Sequence, residues 1–536
     1  MKFFCLPLTL PILALQLLVA APASAQSNPA ARQAQAGQRS QLHFGQAVLY
    51  DSAAPVADGV AVADLNGDGK LDLVLTNYCQ SWNQFGCQGE GQVSVLLGNG
   101  DGTFQPAVTY STAAYNALSV AVADLNGDGT PDVVVADACQ TPGHSNCVGQ
   151  AGAVSVLLGN GDGTLQPAVV YSSGANYAYS VAIGDLTGNG VPDLVVSNID
   201  LVGGSNGSVA VLLGNGDGTF QPAVSYETGV EVASAAIGDV NGDGIPDLVA
   251  ANYSCACDPD GGEVAVLLGN GDGTFQPAVL YDSGGQAPYS VALADLRGNG
   301  ILDVVVANLI SQGALGVLLG NGDGTFQPVV AYLPRELSGG ASGSLAAGDV
   351  NGDGIPDLVV TELCTKENHD EVCEGTGLVN VFLGNGDGTF QKAVVYSSGG
   401  YAGSATAIGD VNGDGRPDLI ATNADISENN DTEGTAAVLL NETYYASKTA
   451  LTSSPNPAQV NQTVAFTATI TPTPPNGEVV TFYNGKTELG TGATTNGVAT
   501  LTTSFSAAKT YTIKSAYPGD PFRKPSKATV KQVVNP

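Results

Sequence analysis

Residues 118–137 read LSVAVADLNGDGTPDVVVAD, and residues 153–171 read AVSVLLGNGDGTLQPAVVY. In both stretches, short runs of alternating, β-branched residues are separated by Gly, Asn and Asp, a pattern typical of antiparallel strands joined by tight turns. Together they predict four strands, A to D, with an aspartate-rich A–B loop, a polar B–C loop and a Gly-Asn-Gly-Asp-Gly-Thr turn between C and D. The chain repeats this unit along most of its length.

Seven copies of the A–B loop follow one another at intervals of 54 to 61 residues. The shared pattern is Asp-x-polar-x-Asp/Asn-Gly-x-x-Asp, and a fixed period of this length marks repeated supersecondary units. The C–D turn recurs six times, because the seventh unit stops at residues 438–441 without a turn or a D strand. The loops begin at Asp64, Asp124, Asp185, Asp239, Asp295, Asp349 and Asp410, and the turns begin at Gly98, Gly159, Gly214, Gly269, Gly320 and Gly384.

The missing D strand has a counterpart at the other end of the repeat region. Residues 44–50, FGQAVLY, form an isolated D-like strand. If this strand completes the last unit, a ring of four-stranded blades closes and the exposed edges of an open array disappear. We therefore predict an all-β fold in which residues 42–446 form a seven-bladed β-propeller. The alternative is an open solenoid, which would need capping repeats.

The A–B loops carry oxygen ligands at alternate positions, as calcium requires. Positions 1, 3, 5 and 9 are predicted to supply side chains, a backbone carbonyl lies near position 7, and the glycine at position 6 permits the sharp turn. The alternative is an Asn/Asp/Gly-rich hairpin turn without an ion. The predicted ligands of the five full loops are Asp64, Asn66, Asp68 and Asp72; Asp124, Asn126, Asp128 and Asp132; Asp239, Asn241, Asp243 and Asp247; Asp349, Asn351, Asp353 and Asp357; and Asp410, Asn412, Asp414 and Asp418.

Two of the seven loops are incomplete. The loop that begins at Asp185 continues with Thr187, Asn189 and Asp193, so it has lost one carboxylate. The loop that begins at Asp295 has the cationic Arg297 at position 3, followed by the ligand candidates Asn299 and Asp303. Up to seven calcium ions are predicted, with the Asp295 loop weak or empty. Extracellular calcium modules bind at about 10⁻⁴ to 10⁻³ M, so we expect a structural role.

The A–B loop followed by Leu-Leu-Gly-Asn-Gly-Asp-Gly-Thr-Phe resembles the FG-GAP/VCBS repeat family, of which the integrin α-subunit propeller is the best-known relative. The resemblance covers residues 42–446 and rests on seven copies in phase. It implies calcium in the A–B loops and a propeller that binds other molecules, and it does not imply an integrin's ligand. The aspartates of the C–D turns favour tight turns over a second set of metal sites.

Charge and the N-terminal segment indicate the compartment. Acidic residues outnumber basic ones 50 to 17, for a formal net charge of −33, which argues against nucleic acid or an anionic membrane as the main partner. Residues 1–25 predict a secretory signal peptide that ends in Ala23-Ser24-Ala25, with a membrane anchor as the alternative. Residues 26–41 are predicted to be a flexible segment. We expect a mature protein that is secreted, periplasmic or associated with the cell surface, without membrane insertion.

After the predicted signal peptide, eight cysteines occur in local pairs within the B–C loops. In an oxidising compartment such pairs predict disulfides that staple the loops. The pair in Cys255-Ala256-Cys257 would close a very small ring, so its pairing is left open. A metal site is the alternative, but neighbouring histidines and tetrad spacing are missing. The pairs are Cys79/Cys87, Cys139/Cys147, Cys255/Cys257 and Cys364/Cys373.

Strand order assigns the loops to two faces of the propeller. The A–B loops and C–D turns share one face, which we call the calcium-loop face. The B–C and D–A connections share the other, the variable face, where binding is expected because its loops differ most in length and composition. Aromatic residues there could stack on sugars or anchor a protein, or instead pack between blades and cover the disc. The candidates are Trp82, Phe85, Tyr115, Tyr177, Tyr179, Tyr289 and Tyr401.

The composition changes after Tyr445, where Thr, Lys and Pro rise and short alternating strands appear. Residues 447–536 resemble bacterial Ig-like repeats, especially in GEVVTFY at 477–483 and AYPGD at 516–520, and predict a separate β-sandwich. A spacer or adhesive role follows by analogy only.

The sequence favours an exported, calcium-binding propeller that binds glycan or extracellular matrix. Catalysis has little support, because His43, His144 and His369 are scattered and the chain has neither a nucleophile elbow nor a phosphate loop. Two alternatives stay open: a calcium-dependent polysaccharide lyase, and a scaffold for protein assembly in the cell envelope.

Overall fold

The computed structural model describes residues 42–83, 86–141, 150–199, 207–229, 231–253, 262–310, 315–332, 342–362, 366–367, 373–374, 376–401, 403–424, 434–474 and 476–536. The predicted signal peptide and residues 26–41 lie outside these ranges. All regular elements in the described part of the chain are β-strands, and no helix there is long and apolar enough to cross a membrane. Seven four-stranded sheets and a two-sheet sandwich confirm the predicted fold.

The blades follow one another in chain order after strand β1 (Val48–Asp51). Blade 1 contains β2 (Ala57–Ala63), β3 (Asp72–Asn77), a side hairpin of β4 (Ser81–Asn83) and β5 (Gly86–Gln88), β6 (Gln92–Leu96) and β7 (Val108–Ser111). Blade 2 contains β8 (Tyr115–Ala123), β9 (Asp132–Cys139), β10 (Ala151–Leu157) and β11 (Val169–Asn176), and blade 3 contains β12 (Ala178–Gly184), β13 (Asp193–Asn198), β14 (Ser208–Leu212) and β15 (Val224–Glu227). Blade 4 contains β16 (Val232–Gly238), β17 (Asp247–Asn252), β18 (Glu263–Leu267) and β19 (Val279–Asp282).

The remaining blades have the same plan. Blade 5 contains β20 (Gln286–Ala294), β21 (Asp303–Ile310), β22 (Leu315–Leu318) and β23 (Val330–Tyr332). Blade 6 contains β24 (Ser342–Gly348), β25 (Asp357–Glu362), a side hairpin of β26 (Lys366–Glu367) and β27 (Cys373–Glu374), β28 (Thr376–Phe382) and β29 (Val394–Tyr401). Blade 7 contains β30 (Gly403–Gly409), β31 (Asp418–Asn423) and β32 (Thr435–Leu439), and its fourth strand is β1.

The N-terminal strand closes the ring, as predicted. Strand β1 pairs antiparallel with β32, so that Val48 lies opposite Val438. Blade 7 also packs against blade 1, where the Thr422 hydroxyl donates a hydrogen bond to the Asp58 carbonyl at 2.7 Å. The first strand of the propeller therefore completes its last blade, and an open solenoid is excluded.

A repeated aromatic contact joins the outer parts of consecutive blades. The D-strand tyrosine of one blade meets, edge to face, the phenylalanine that leads into the D strand of the next blade, with ring centroids 5.2 to 5.8 Å apart. This perpendicular geometry is the favoured one for aromatic pairs. The pairs are Tyr50–Phe104, Tyr171–Phe220, Tyr226–Phe275, Tyr281–Phe326, Tyr332–Phe390 and Tyr396–Phe44.

Residues 448–535 form the predicted β-sandwich. Its strands are β33 (Lys448–Ser454), β34 (Ala458–Gln459), β35 (Thr463–Thr471), β36 (Val479–Asn484), β37 (Thr487–Ala493), β38 (Val498–Ser504), β39 (Thr510–Tyr517) and β40 (Ser526–Asn535). One sheet has the order β33-β35-β38 and the other β34-β40-β39-β36-β37. Phe466, Phe482 and Ile513 are fully buried in the core between them.

Each B strand carries a buried polar residue near its end, and in five blades this residue is asparagine. In blade 1, the Asn77 amide donates a hydrogen bond to the Ser94 hydroxyl at 2.7 Å. Blade 2 has Asp137 at this position, and its carboxyl accepts a hydrogen bond from the equivalent Ser155 hydroxyl at 2.6 Å. Blade 6 has Glu362. Burial raises the pKa of Asp137 to about 8 and that of Glu362 to about 8, so both acids cost stability when they ionise.

We predict that Asp137→Asn stabilises the protein at alkaline pH. The raised pKa of Asp137 means that its contribution to stability is fully present below about pH 4 and is lost as the pH rises through about 8. An asparagine, as in blade 1, removes this loss, and we expect the free energy of unfolding at pH 8.5 to rise by ~2 kcal/mol. Melting or denaturant unfolding at pH 5 and 8.5 checks it, with Asn77→Asp as the reciprocal control. Equal pH dependence in Asp137→Asn and the unsubstituted protein would contradict the prediction.

Candidate functional site

The last aspartate of every A–B loop is fully buried and accepts two backbone hydrogen bonds. In blade 1, Asp72 accepts the N–H of Leu65 at 2.9 Å and the N–H of Gly98 at 2.7 Å. The first donor belongs to the same A–B loop and the second opens the C–D turn, so one carboxylate ties together the two connections of a blade. Asp72, Asp132, Asp193, Asp247, Asp303, Asp357 and Asp418 all make this pair of bonds.

From the sequence these aspartates were predicted only as metal ligands, and the backbone hydrogen bonds that they accept were not predicted. The available signal was that position 9 remains aspartate even in the two loops that have lost other ligands. Blade 7 shows how necessary the role is. It has no C–D turn, and the N–H of Asn441 donates to Asp418 at 2.7 Å in place of the turn glycine.

Burial raises the pKa of all seven of these aspartates, and that of Asp418 reaches about 7. The backbone donors lower the pKa and offset part of this effect. In blade 1, the charges of Asp64 and Asp68 add to the rise. A cation placed among these carboxylates would favour their ionised form.

The other ligand positions accept hydrogen bonds from the loop's own backbone. In blade 1, the Asp64 carboxylate accepts the N–H groups of Asp68 at 3.1 Å and Gly69 at 2.8 Å, and Asn66 Oδ1 accepts the N–H of Asp68 at 3.0 Å. Gly69 has φ +80°, the left-handed region that a glycine adopts without strain. The oxygens of positions 1 and 3 thus converge on the same turn of backbone.

The residues of the full loops fit calcium. Their side-chain donors are all oxygens, and a carboxylate oxygen that accepts one hydrogen bond keeps a lone pair for an ion. In the described part of the chain, no three His, Cys, Asp or Glu side chains converge on one metal position. Blade 6 gives the clearest sign of a missing partner: Asn351 Oδ1 is buried and accepts no hydrogen bond there. In the four other full loops, the same oxygen accepts the N–H of position 5.

The blade 5 loop does not fit calcium, because Arg297 replaces the oxygen ligand at position 3 and pairs with the buried Asp303. The blade 7 loop also contains an arginine, Arg416, which pairs with Asp414, but Arg416 stands at position 7 and the loop keeps all four side-chain oxygen ligands. The Arg297 guanidinium donates to the Asp303 carboxylate at 2.6 Å and to the Gly320 carbonyl at 2.7 Å. Asp303 is fully buried, and the side chain of Arg297 is only 19% exposed. The guanidinium lowers the pKa of Asp303, against the rise that burial causes. The positive charge that the sequence places at position 3 therefore forms an ion pair with the aspartate at position 9 of the same loop.

The C–D turns have the predicted tight-turn geometry. In the first turn, the Asp101 carboxylate accepts the N–H of Thr103 at 3.0 Å and its hydroxyl at 2.6 Å, and Gly100 and Gly102 have φ of +78° and +83°. These hydrogen bonds lower the pKa of Asp101. The aspartates at equivalent positions bond their own threonines in the same way: Asp162, Asp217, Asp272, Asp323 and Asp387.

The tyrosines of the variable face close the centre of the propeller. Tyr177, Tyr179 and Tyr289 belong to one buried cluster, in which the hydroxyls of Tyr179 and Tyr289 lie 2.8 Å apart. These three rings are less than 8% exposed, so they are not available to stack on a ligand and the covering role applies to them. Tyr115 and Tyr401 are half-buried and pack against the cluster.

Two further tyrosines of this cluster were missed. Tyr78 and Tyr253 pack against it, and burial raises the pKa of Tyr78 to about 12. Both directly follow the buried asparagine at the end of a B strand, Asn77 and Asn252. That repeated Asn-Tyr pair was the signal available in the sequence.

A disulfide staples the variable face at one of the predicted pairs. Cys79 and Cys87 form a disulfide with their Cα atoms 5.8 Å apart, and Trp82 lies opposite Cys87 in the hairpin between them. Cys139 is disulfide-bonded as well. Cys373 lies in β27. The other predicted residues of these loops lie outside the described residues: Phe85, Cys147, Cys255, Cys257 and Cys364.

Comparison with known structures finds similar chains at low identity. The V. cholerae biofilm matrix protein Bap1 is 13% identical, over 75% of this chain and 89% of that chain, with a TM-score of 0.40. The exotype rhamnogalacturonan lyase YesX is 13% identical, over 74% of each chain, with a TM-score of 0.41. The periplasmic gluconolactonase PpgL of Pseudomonas aeruginosa is 18% identical, over 63% and 84%, with a TM-score of 0.40. No curated protein matches the chain in sequence.

Family comparison matches both parts of the chain. The FG-GAP repeat matches residues 57–96. The FG-GAP-like repeat matches six stretches, residues 82–135, 147–196, 197–250, 251–306, 298–360 and 369–421. The bacterial Ig-like domain (group 3) matches residues 451–535. The chain therefore belongs to the FG-GAP repeat family and carries a bacterial Ig-like domain at residues 451–535.

Proposed function

We propose that this protein is an exported, calcium-binding propeller that binds glycan or extracellular matrix through its variable face. The proposal depends on the structural difference between the two faces of the propeller. On the calcium-loop face, seven buried aspartates tie every A–B loop to its blade. On the variable face, a disulfide-stapled hairpin and half-buried aromatic rings surround a centre that is already filled by side chains.

Calcium is supported by the donor set of the five full loops and by the buried charge behind it. Each of these loops presents three carboxylates and one amide oxygen within nine residues. When bound, the ion would neutralise the carboxylates and hold the A–B connection in one conformation. Asp64, Asn66, Asp68 and Asp72 would hold it in blade 1, with their equivalents in the other full loops.

Binding on the variable face is supported by the buried tyrosine cluster beneath its loops. The buried tyrosine cluster fixes the inner ends of the blades, so loops that rise from it start from well-defined positions. The β4–β5 hairpin carries the only tryptophan of the chain, and a tryptophan ring can stack on a sugar face or fill a pocket in a protein partner.

We predict that chelation of calcium lowers the melting temperature of the mature protein. An ion that binds only the native state stabilises it by about 2.7 kcal/mol per site at a concentration 100 times its Kd. Melting curves in 10 mM calcium and in excess EGTA measure the shift. Asp124→Asn, in a full A–B loop, should reduce the shift, whereas Asp162→Asn, in a C–D turn, should keep it. Identical melting temperatures in calcium and EGTA would refute the calcium assignment.

Blade 5 supplies a second prediction, because its internal cation can be exchanged for a calcium ligand. Arg297→Asn leaves the buried Asp303 carboxylate without its ion pair, and we expect a loss of about 3 kcal/mol in EGTA. The new loop matches the ligand pattern of blade 3 more closely, so calcium should recover part of the loss. Denaturant unfolding in EGTA and in calcium tests both effects. Unchanged stability in EGTA would show that the pair contributes nothing.

For the binding role, we predict a defined, chelator-sensitive set of hits when residues 26–536 are applied to a broad glycan array in millimolar calcium. Trp82→Ala should reduce binding at least tenfold, while Tyr483→Ala, in the Ig-like domain, should leave it unchanged. A blank array from folded protein would overturn glycan binding and favour a protein-assembly scaffold. Unsaturated uronate products from acidic polysaccharides would instead identify a lyase.

A further inference from the structure

A turn of the Ig-like domain sits on the calcium-loop face at blades 6 and 7. The turn consists of residues 520–523. The Arg523 guanidinium donates a hydrogen bond to the Gly352 carbonyl at 3.0 Å, in the A–B loop of blade 6. Arg416, in the A–B loop of blade 7, donates to the Pro521 carbonyl at 3.0 Å. From the sequence the two domains were predicted to be separate, so this contact was not predicted.

The segment between the domains is part of the same joint. The Tyr445 hydroxyl donates to the Asn351 carbonyl at 3.1 Å. The backbone of Tyr445 also pairs with the turn, because its N–H donates to the Phe522 carbonyl at 2.7 Å and its carbonyl accepts the N–H of Lys524 at 2.9 Å. Loop, connecting segment and turn therefore hold one another.

Close packing at this joint depends on a glycine. A Cβ added at Gly352 would lie 2.3 Å from the Phe522 ring, whereas a Cβ at the equivalent Gly127 of blade 2 would meet nothing within 4 Å. The two glycines have nearly the same φ, +72° and +74°. They therefore differ in their surroundings and not in their backbone strain.

The guanidinium in the joint has its own counter-ion. Arg523 is 3% exposed and pairs with Asp520 at 3.1 Å, within the same turn. Its contact with the blade 6 loop is to a backbone carbonyl, so it occupies none of the side-chain oxygens that the loop offers to a metal.

The blade 6 loop is the one whose amide oxygen has no partner. Asn351 is 2% exposed, and its Oδ1 accepts no hydrogen bond among the described residues. The carboxylate of Asp349 accepts the N–H groups of Gly352, Asp353 and Gly354. The ligand side chains thus control the same short stretch of backbone, residues 351–352, that presents its carbonyls to Tyr445 and Arg523.

We propose that calcium in the blade 6 loop locks the Ig-like domain onto the propeller, and that its removal releases the domain. The inference rests on the proposed binding of calcium to the A–B loops. The ion supplies the partner that Asn351 Oδ1 lacks and fixes the loop in the conformation that the turn recognises. Without it, three carboxylates repel one another beneath the docked domain, and the carbonyls of residues 351–352 are held less firmly. The protein would then extend only where calcium is scarce.

Hydrogen exchange of the mature protein in calcium and in EGTA tests the lock. Peptides that cover residues 441–447 and 518–525 should exchange at least tenfold faster in EGTA, and small-angle scattering should show a larger maximum dimension. Asn351→Ala should lose the protection in calcium, whereas Asn126→Ala, the matched change in blade 2, should keep it. Calorimetry on the same samples reports calcium binding. If calcium binds but does not protect these peptides, the inference fails and the proposed function stands. If no calcium binds, both fail.

A steric pair of variants tests the docking contact without altering a ligand. Gly352→Ala should release the Ig-like domain even in calcium, and Gly127→Ala, with the same backbone strain, should leave it docked. Scattering and hydrogen exchange give the readout. A Gly352→Ala protein that remains compact, with residues 518–525 protected, would overturn the contact on which the lock depends. If Gly352→Ala does not fold, hydrogen exchange and scattering of the unsubstituted protein in calcium and in EGTA show whether calcium controls docking.

Discussion

The buried aspartate at the end of each A–B loop is the constraint on which the propeller depends. Its two oxygens accept one N–H from the loop and one from the residue that opens the C–D turn in six blades, or from Asn441 in blade 7, at 2.7 to 3.2 Å. A buried carboxylate is costly unless it is well paired, so this arrangement fixes the register of both connections. It also concentrates negative charge under the loop surface, where a cation is favoured. The same aspartate therefore holds the two connections in place and contributes negative charge that favours a cation.

The blades differ in what lies next to the carboxylates of their A–B loops. Five loops keep the full set of oxygen ligands, and blade 5 instead carries Arg297, whose guanidinium pairs with Asp303. Blade 6 places its loop beneath the Ig-like domain, and we propose that metal binding there controls how the two domains are joined. The variable face lies on the other side of the disc from this joint. A ligand bound there would meet stapled loops and half-buried aromatics without competing with the Ig-like domain.

Much of this arrangement follows from the sequence, because a repeat with a fixed period predicts blades, faces and ring closure at once. The strand that completes blade 7, the sandwich and the tight turns at Asp101 and its equivalents are as predicted. The burial of the tyrosines was harder to predict. A position in a D–A loop does not reveal whether a ring such as Tyr179 points outward or meets Tyr289 across the centre. The docking of Phe522 on Gly352 joins residues 170 positions apart, and no periodic pattern encodes it. Long-range contacts of this kind depend on the final placement of both domains.

We propose that calcium occupies the full A–B loops, and a crystal structure of residues 26–536 grown in calcium, with anomalous difference density measured at long wavelength, would show the ions themselves. We expect peaks at the loops that begin at Asp64, Asp124, Asp239, Asp349 and Asp410, and none at the Asp295 loop, where Arg297 takes the place of the ion. An absence of peaks at the five full loops, or a peak beside Asp303, would contradict it.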